Sequence, residues 1–137
     1  MPSTIRPVVL VVDDDASVRA SLGFLLSIEG YTVKSYPDGV ELLADANVPT
    51  QGCLVIDLNL PRIDGIELLR QLRARRIGLP AILITSHPST ALKERARAAG
   101  ILAIVEKPFL GTALVDSVRI ALADGRDRET PIGAPPT

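Results

Sequence analysis

Four apolar runs in this chain show no alternation: Val8-Val9-Leu10-Val11-Val12, Cys53-Leu54-Val55-Ile56, Ala81-Ile82-Leu83-Ile84 and Ile101-Leu102-Ala103-Ile104-Val105. A strand with one wet face alternates apolar and polar residues, so continuous runs of this kind belong to strands covered on both faces, as in a parallel sheet. Segments of helical period lie between them. Ala16 to Glu29 puts Val18, Leu22, Leu25 and Leu26 on one face before Gly30, with Asp15 or Ser17 available as cap. Thr32 to Tyr36 reads as a short edge strand, and after Asp38-Gly39 a helix carries Val40, Leu42 and Leu43 until Pro49 and Gly52. Further helices are expected from Asp64 through Arg76, from Pro88 to Ala99, and from Gly111 to Ala123, with Gly78, Pro80 and Gly100 as the stops of the first two. Strand and helix thus alternate five times, which predicts an α/β fold with a doubly wound five-stranded parallel sheet and right-handed crossovers.

The residues that close each run are as informative as the run itself. The first ends on Asp13 and Asp14, the second on Asp57, the third on Thr85 and Ser86, and the fourth on Glu106-Lys107-Pro108. A carboxylate at the end of a buried strand costs several kcal/mol to desolvate unless a cation compensates it. Three converging acids need a metal, a lysine, or both. Ligands of open α/β sheets bind outside the carboxyl ends of the strands where strand order reverses. Asp13, Asp14, Asp57, Thr85 and Lys107 all fall on that edge.

Composition excludes several other classes. With 137 residues, 47% hydrophobic and 23% charged, the chain has the material for one globular domain with a full core. No apolar stretch approaches the roughly 18 residues that span a bilayer, and no secretory leader is recognisable, so no membrane association and a cytoplasmic location are expected. A net charge of −1 gives no positive field for phosphate backbones, so no nucleic acid is expected to bind this chain alone. Cys53, the single cysteine, allows neither an internal disulfide nor a paired-cysteine metal site, and reads as an inert buried thiol. Residues 1–123 form the expected domain. The stretch Asp124 to Thr137, with Gly125, Pro131, Gly133, Pro135 and Pro136, reads as a mobile tail or linker.

In their order and context, Val-Val-Asp13-Asp14-Asp15, Asp57-Leu58-Asn59-Leu60-Pro61-Arg62-Ile63-Asp64-Gly65, Thr85-Ser86 and Lys107-Pro108-Phe109 resemble the receiver domain of two-component response regulators, over residues 7 to 123. Thr85-Ser86-His87 and Glu106-Lys107-Pro108-Phe109 are similar to the FixJ-like group. The resemblance implies a flavodoxin-like (βα)5 fold with strand order 2-1-3-4-5, which periodicity does not supply.

It also implies a chemistry. Asp57 would accept a phosphoryl group from a histidine kinase or phosphotransfer protein and hold it as an acyl phosphate. Mg²⁺ would be held by Asp14, Asp57 and the backbone carbonyl of Asn59, with Asp13 on a coordinated water. Lys107 and the Thr85 hydroxyl would meet phosphoryl oxygens, and the side chains of Asn59 and His87 would flank the path of a hydrolytic water. No turnover enzyme is expected, only self-phosphotransfer and autodephosphorylation. Asp15 and Asp64 are read as helix caps, Gly65 as a small residue in a first turn, and Arg73-Arg75-Arg76 as a dipole-complementing helix end. The resemblance implies a cis peptide before Pro108.

One position departs from the family pattern. Three residues before Lys107 the family usually carries an aromatic ring, and here stands Ile104. The face 88–123 is the expected site of a phosphorylation-dependent homodimer. The chain suits either a stand-alone receiver or the receiver part of a transcription factor. The alternative is a Mg²⁺-dependent aspartyl-phosphate phosphohydrolase, but haloacid dehalogenase-type enzymes place a second acid two residues past the nucleophile, where this chain has Asn59. A flavin carrier is weaker still, since the chain has no Trp and only two Tyr.

Overall fold

A computed structural model describes residues 7–108 and 112–128, with side chains described as far as residue 123. The order is β1 (Val8–Val12), α1 (Ala16–Ile28), β2 (Thr32–Tyr36), α2 (Gly39–Ala44), β3 (Cys53–Asp57), α3 (Gly65–Ala74), β4 (Ala81–Thr85), α4 (Thr90–Ala98), β5 (Ala103–Glu106) and α5 (Ala113–Arg128). All strand pairs are parallel, in the order β2-β1-β3-β4-β5. The fold expected from the alternation of runs and the strand order implied by the resemblance are both present.

The unalternating runs are explained by two cores, one on each face of the sheet. Val9, Val11, Cys53, Val55, Ile82 and Ile84 point to one side, where Leu22 and Leu26 of α1 and Leu114 and Val118 of α5 cover them. Leu10, Val12, Leu54 and Ile56 point to the other, against Leu42 of α2 and Leu68, Leu69 and Leu72 of α3. Leu83 meets Leu92 and Ala96 of α4 there, with Ile104 packed beside them. Burial of each such Leu or Ile contributes about 1.5–3 kcal/mol over leaving it exposed. Cys53 is fully buried, and burial pushes its thiol up to about 12, which keeps it unreactive at neutral pH.

Helix starts follow the capping rules, and three helix ends fall away from their expected positions. Asp15, Asp38, Asp64 and Ser89 accept from backbone amides at the starts of α1, α2, α3 and α4. At the end of α1 the amides of Gly30 and Tyr31 return to the carbonyls of Ser27 and Leu26, with Gly30 at φ +93. The end of α3 has the same closure, but Arg76 rather than a glycine takes the left-handed position, at φ +64, so the helix stops at Ala74, ahead of the expected Gly78. A further departure is α5, whose backbone continues to Arg128, past both the expected end at Ala123 and Gly125. The expected tail, 124–137, thus starts as helix as far as Arg128, and its remainder, 129–137, lies outside the described residues, as do Phe109 and Gly111. α2 ends at Ala44, well before Pro49, because Asp45 takes extended backbone there. Among the described residues no helix is long and apolar enough to cross a membrane.

Asp45 also ties α2 to the edge strand. Its Oδ2 accepts from the Tyr36 hydroxyl at 2.5 Å and from Lys34 Nζ at 3.1 Å. The Tyr36 hydrogen bond above all, then the Asn47 amide and Lys34, hold the Asp45 carboxyl at about 2 instead of 3.8. A lowered carboxyl pKa stabilises the fold above the unfolded value and ceases to do so as pH falls through the folded one. Asp45→Ala is therefore expected to be less stable than wild type at neutral pH, with the gap closing between about pH 4 and pH 2 in acid-unfolding curves. A gap that persists unchanged in that window contradicts the assignment.

Candidate functional site

Two strand ends, those of β1 and β3, deliver the acids, β4 delivers a hydroxyl and β5 is followed by the base. Asp13 follows β1, and its amide donates to the Tyr36 carbonyl at the end of β2 (3.2 Å). Asp57 is the last residue of β3 and pairs in register with Ile84, while the Leu58 amide donates to the Ile84 carbonyl at 2.9 Å. Thr85 closes β4, and its carbonyl accepts from the Lys107 amide at 2.9 Å. The strand order reverses beside β1, between β1 and β3, so the acids stand at the switch point.

Oxygens from Asp13, Asp14 and Asp57 lie within 4.8 Å of one another. Asp13 and Asp57 are buried, whereas Asp14 is exposed. Lys107 Nζ stands 3.0 Å from Asp13 Oδ2 and 3.2 Å from Asp57 Oδ2. The contact with Asp57 is a hydrogen bond. The contact with Asp13 is an ion pair, and the buried Asp13 Oδ2 has no other partner among the described residues. Burial raises the Asp13 carboxyl above its usual range despite the Asp15 amide and Lys107. Burial would lower Lys107, but its contacts with Asp13 and Asp57 outweigh that and raise it. When all four groups are ionised, three carboxylates and one ammonium leave two negative charges.

These residues fit a hard divalent cation. Oxygen donors converge, one of them is a buried acceptor whose single partner among the described residues is the Lys107 ammonium, and the surplus charge equals that of the ion. The Asn59 carbonyl accepts from no described residue. The Asn59 amide donates to Asp57 Oδ1 at 3.1 Å, which fixes the carboxylate from the side opposite Lys107. The Thr85 hydroxyl oxygen accepts from the His87 amide at 3.2 Å, leaving its proton to donate elsewhere. Asn59 and His87 are both exposed. Asp15 and Asp64 take the capping positions expected of them, and the Lys107–Pro108 peptide is cis.

Sequence reasoning undervalued Gly65. A Cβ there would lie 2.6 Å from the Asp57 carbonyl oxygen, 2.9 Å from Ile56 Cγ2 and 3.1 Å from Leu58 Cα, and the Gly65 amide donates to the Leu58 carbonyl at 2.9 Å. The start of α3 is folded back onto the strand end that carries Asp57, and two of those three neighbours are backbone that cannot turn aside. Gly65→Ala is expected to lose about 1–3 kcal/mol of stability by overpacking and to accept phosphoryl groups more slowly, as measured by denaturant unfolding and by phosphorylation time courses.

The family model of the response regulator receiver domain matches residues 9–119. The transcriptional regulatory protein FixJ of Rhizobium meliloti is 38% identical over 111 residues, covering 81% of this chain and 54% of that protein. The crystal structure of FixJ-N superposes with a TM-score of 0.79 at 36% identity, over 88% of this chain and 96% of that one. The response regulator StyR gives a TM-score of 0.83 at 37% identity, over 91% of this chain and 63% of that one. The chain thus spans little more than half the length of the FixJ regulator it matches. Sequence, strand order and the arrangement of acids at the switch point agree, and the chain belongs to the response regulator receiver domain family, as a FixJ-like receiver.

Proposed function

We propose that this chain is a phosphorylation-activated switch in which Asp57 accepts a phosphoryl group from a phosphohistidine on a histidine kinase or phosphotransfer protein. The observation that carries the proposal is a nearly buried Asp57 held between the Asn59 amide and Lys107 inside a cluster of three carboxylates. An Asp57 carboxylate oxygen forms the O–P bond as the donor N–P bond breaks, and the electron pair remains on the imidazole nitrogen. Lys107 and the Thr85 hydroxyl donate to phosphoryl oxygens. Asp13, Asp14, Asp57 and the Asn59 carbonyl would hold Mg²⁺, which when bound neutralises the charge of the incoming phosphoryl group. Asn59 and His87 are exposed, two residues past Asp57 and Thr85, and in this reading their side chains set how readily water reaches the acyl phosphate. The chemistry is self-directed, with no turnover of a second substrate, and it takes place in the cytoplasm. The output is a change on the face 88–123, which pairs two copies of the chain.

Incubation with acetyl phosphate and Mg²⁺ tests the proposal. One phosphoryl group per chain, released by hydroxylamine and absent when EDTA is added first, is the expected result. Continuous release of phosphate with no phosphorylated protein would favour a phosphohydrolase.

A further inference from the structure

The loop between Asp57 and Asp64 holds a backbone that needs an explanation. Arg62 has φ +71, and across it the Ile63 amide donates to the Pro61 carbonyl at 2.8 Å. This is the strained hand of the three-residue turn, a conformation that glycine enters freely and an arginine does not. A side chain kept there must be held by something else. The Arg62 guanidinium lies 3.4 Å from Asp38 Oδ2, while Asp38 Oδ1 accepts from the Glu41 amide at 2.8 Å and caps α2. Asp38 is itself buried. Next to Arg62, Ile63 sits on Gly39 so closely that a Cβ at Gly39 would meet Ile63 Cδ1 at 2.9 Å and Cγ1 at 3.1 Å. Two successive residues of the loop therefore grip two successive residues at the start of α2, one through charge and one through apolar contact.

That start of α2 is tied to the acids from the other side. It follows β2, whose last residue, Tyr36, accepts the Asp13 amide. The contacts join into a circuit that runs from Asp13 to Tyr36, through Asp38 to Arg62, and back along the loop to Asn59 and Asp57. We propose that Arg62 and Ile63 clamp the loop after Asp57 onto the start of α2, and that this clamp positions the Asn59 carbonyl and so sets the site's affinity for a divalent cation. The metal half of this inference rests on the function proposed above, whereas the loop half does not. Arg62 and Ile63 are positioning residues, since neither touches the cluster.

Arg62→Gly separates the clamp from the turn. Glycine relieves the backbone, so if the turn alone mattered this variant would bind Mg²⁺ as well as wild type or better. The clamp predicts the opposite, a Kd for Mg²⁺ raised about two- to fivefold, the range that an ion pair with one exposed partner supplies. It predicts faster amide exchange at Ile63 and Gly65 in metal-free protein, partial recovery in Arg62→Lys, and a larger effect in Arg62→Gly combined with Ile63→Ala. Calorimetric titration with Mg²⁺ gives the first readout and exchange followed by NMR the second. Unchanged Kd and unchanged exchange in the double variant overturn the clamp. A wild type that does not bind Mg²⁺ overturns the metal reading and the affinity half with it, and exchange at Ile63 and Gly65 then decides the loop half alone.

Discussion

Asp57→Asn takes up no phosphoryl group from acetyl phosphate and Mg²⁺ under conditions where wild type takes up one, a loss of at least about a hundredfold in yield, as expected when the nucleophile of a covalent step is removed. The amide has nearly the shape of the carboxylate and can keep the bond from the Asn59 amide, so the loss is chemical and not a failure to fold. Metal-free stability should not fall. Asp57 raises the Asp13 carboxyl through like-charge repulsion, and removing that charge leaves Lys107 to serve Asp13 alone. Intact-mass measurement checks the first part and thermal unfolding without Mg²⁺ the second. Equal phosphoryl incorporation in the variant would move the acceptor elsewhere.

Asp14→Ala and Lys107→Ala should part company. Asp14 is exposed, contributes nothing to the core, and belongs to the acidic cluster, so its loss is expected to weaken Mg²⁺ binding by at least about tenfold. Phosphorylation at a fixed Mg²⁺ concentration drops with it. Lys107→Ala keeps all three carboxylates and removes the ammonium that competes with the cation, so Mg²⁺ affinity is expected to hold or rise. Metal-free protein loses the partner of two buried acids and becomes less stable, and Mg²⁺ restores it. Calorimetric titration with Mg²⁺, paired with unfolding curves at several Mg²⁺ concentrations, distinguishes the two. Equal Mg²⁺ affinity in wild type and Asp14→Ala would remove Asp14 from the site.

The sheet and its acidic edge were legible in the sequence because both rest on local chemistry. A run such as Cys53-Leu54-Val55-Ile56 cannot face water on either side, and an acid that ends it must face the strand's carboxyl end. The features that stayed hidden depend on contacts between distant residues. No propensity marks Arg76 as the residue that turns left-handed after α3, since the usual glycine stands two positions later. Gly65 and Asp64 look like an ordinary cap and first turn, and only the fold brings the Asp57 carbonyl within reach of a Cβ at Gly65. Nothing local joins Asp38 to Arg62, which meet across a helix and a strand. The end of α5 was missed for a different reason. Gly125 weakens a helix by only about 1 kcal/mol, which neighbouring turns can absorb.

Ile104 sits in the apolar layer beneath α4, with Leu83, Leu92 and Ala96. A ring at that place could turn about its own bonds while the backbone stood still. A β-branched aliphatic is stiff at its first torsion and has no such freedom. Under the proposed function, a change of state at this face would be carried by backbone shifts in the loop after Thr85 and in the elements around Ile104. Rotamer flips take picoseconds to nanoseconds and helix displacements about microseconds to milliseconds. Under that function the expected tempo of switching is that of backbone movement and not of a side-chain flip.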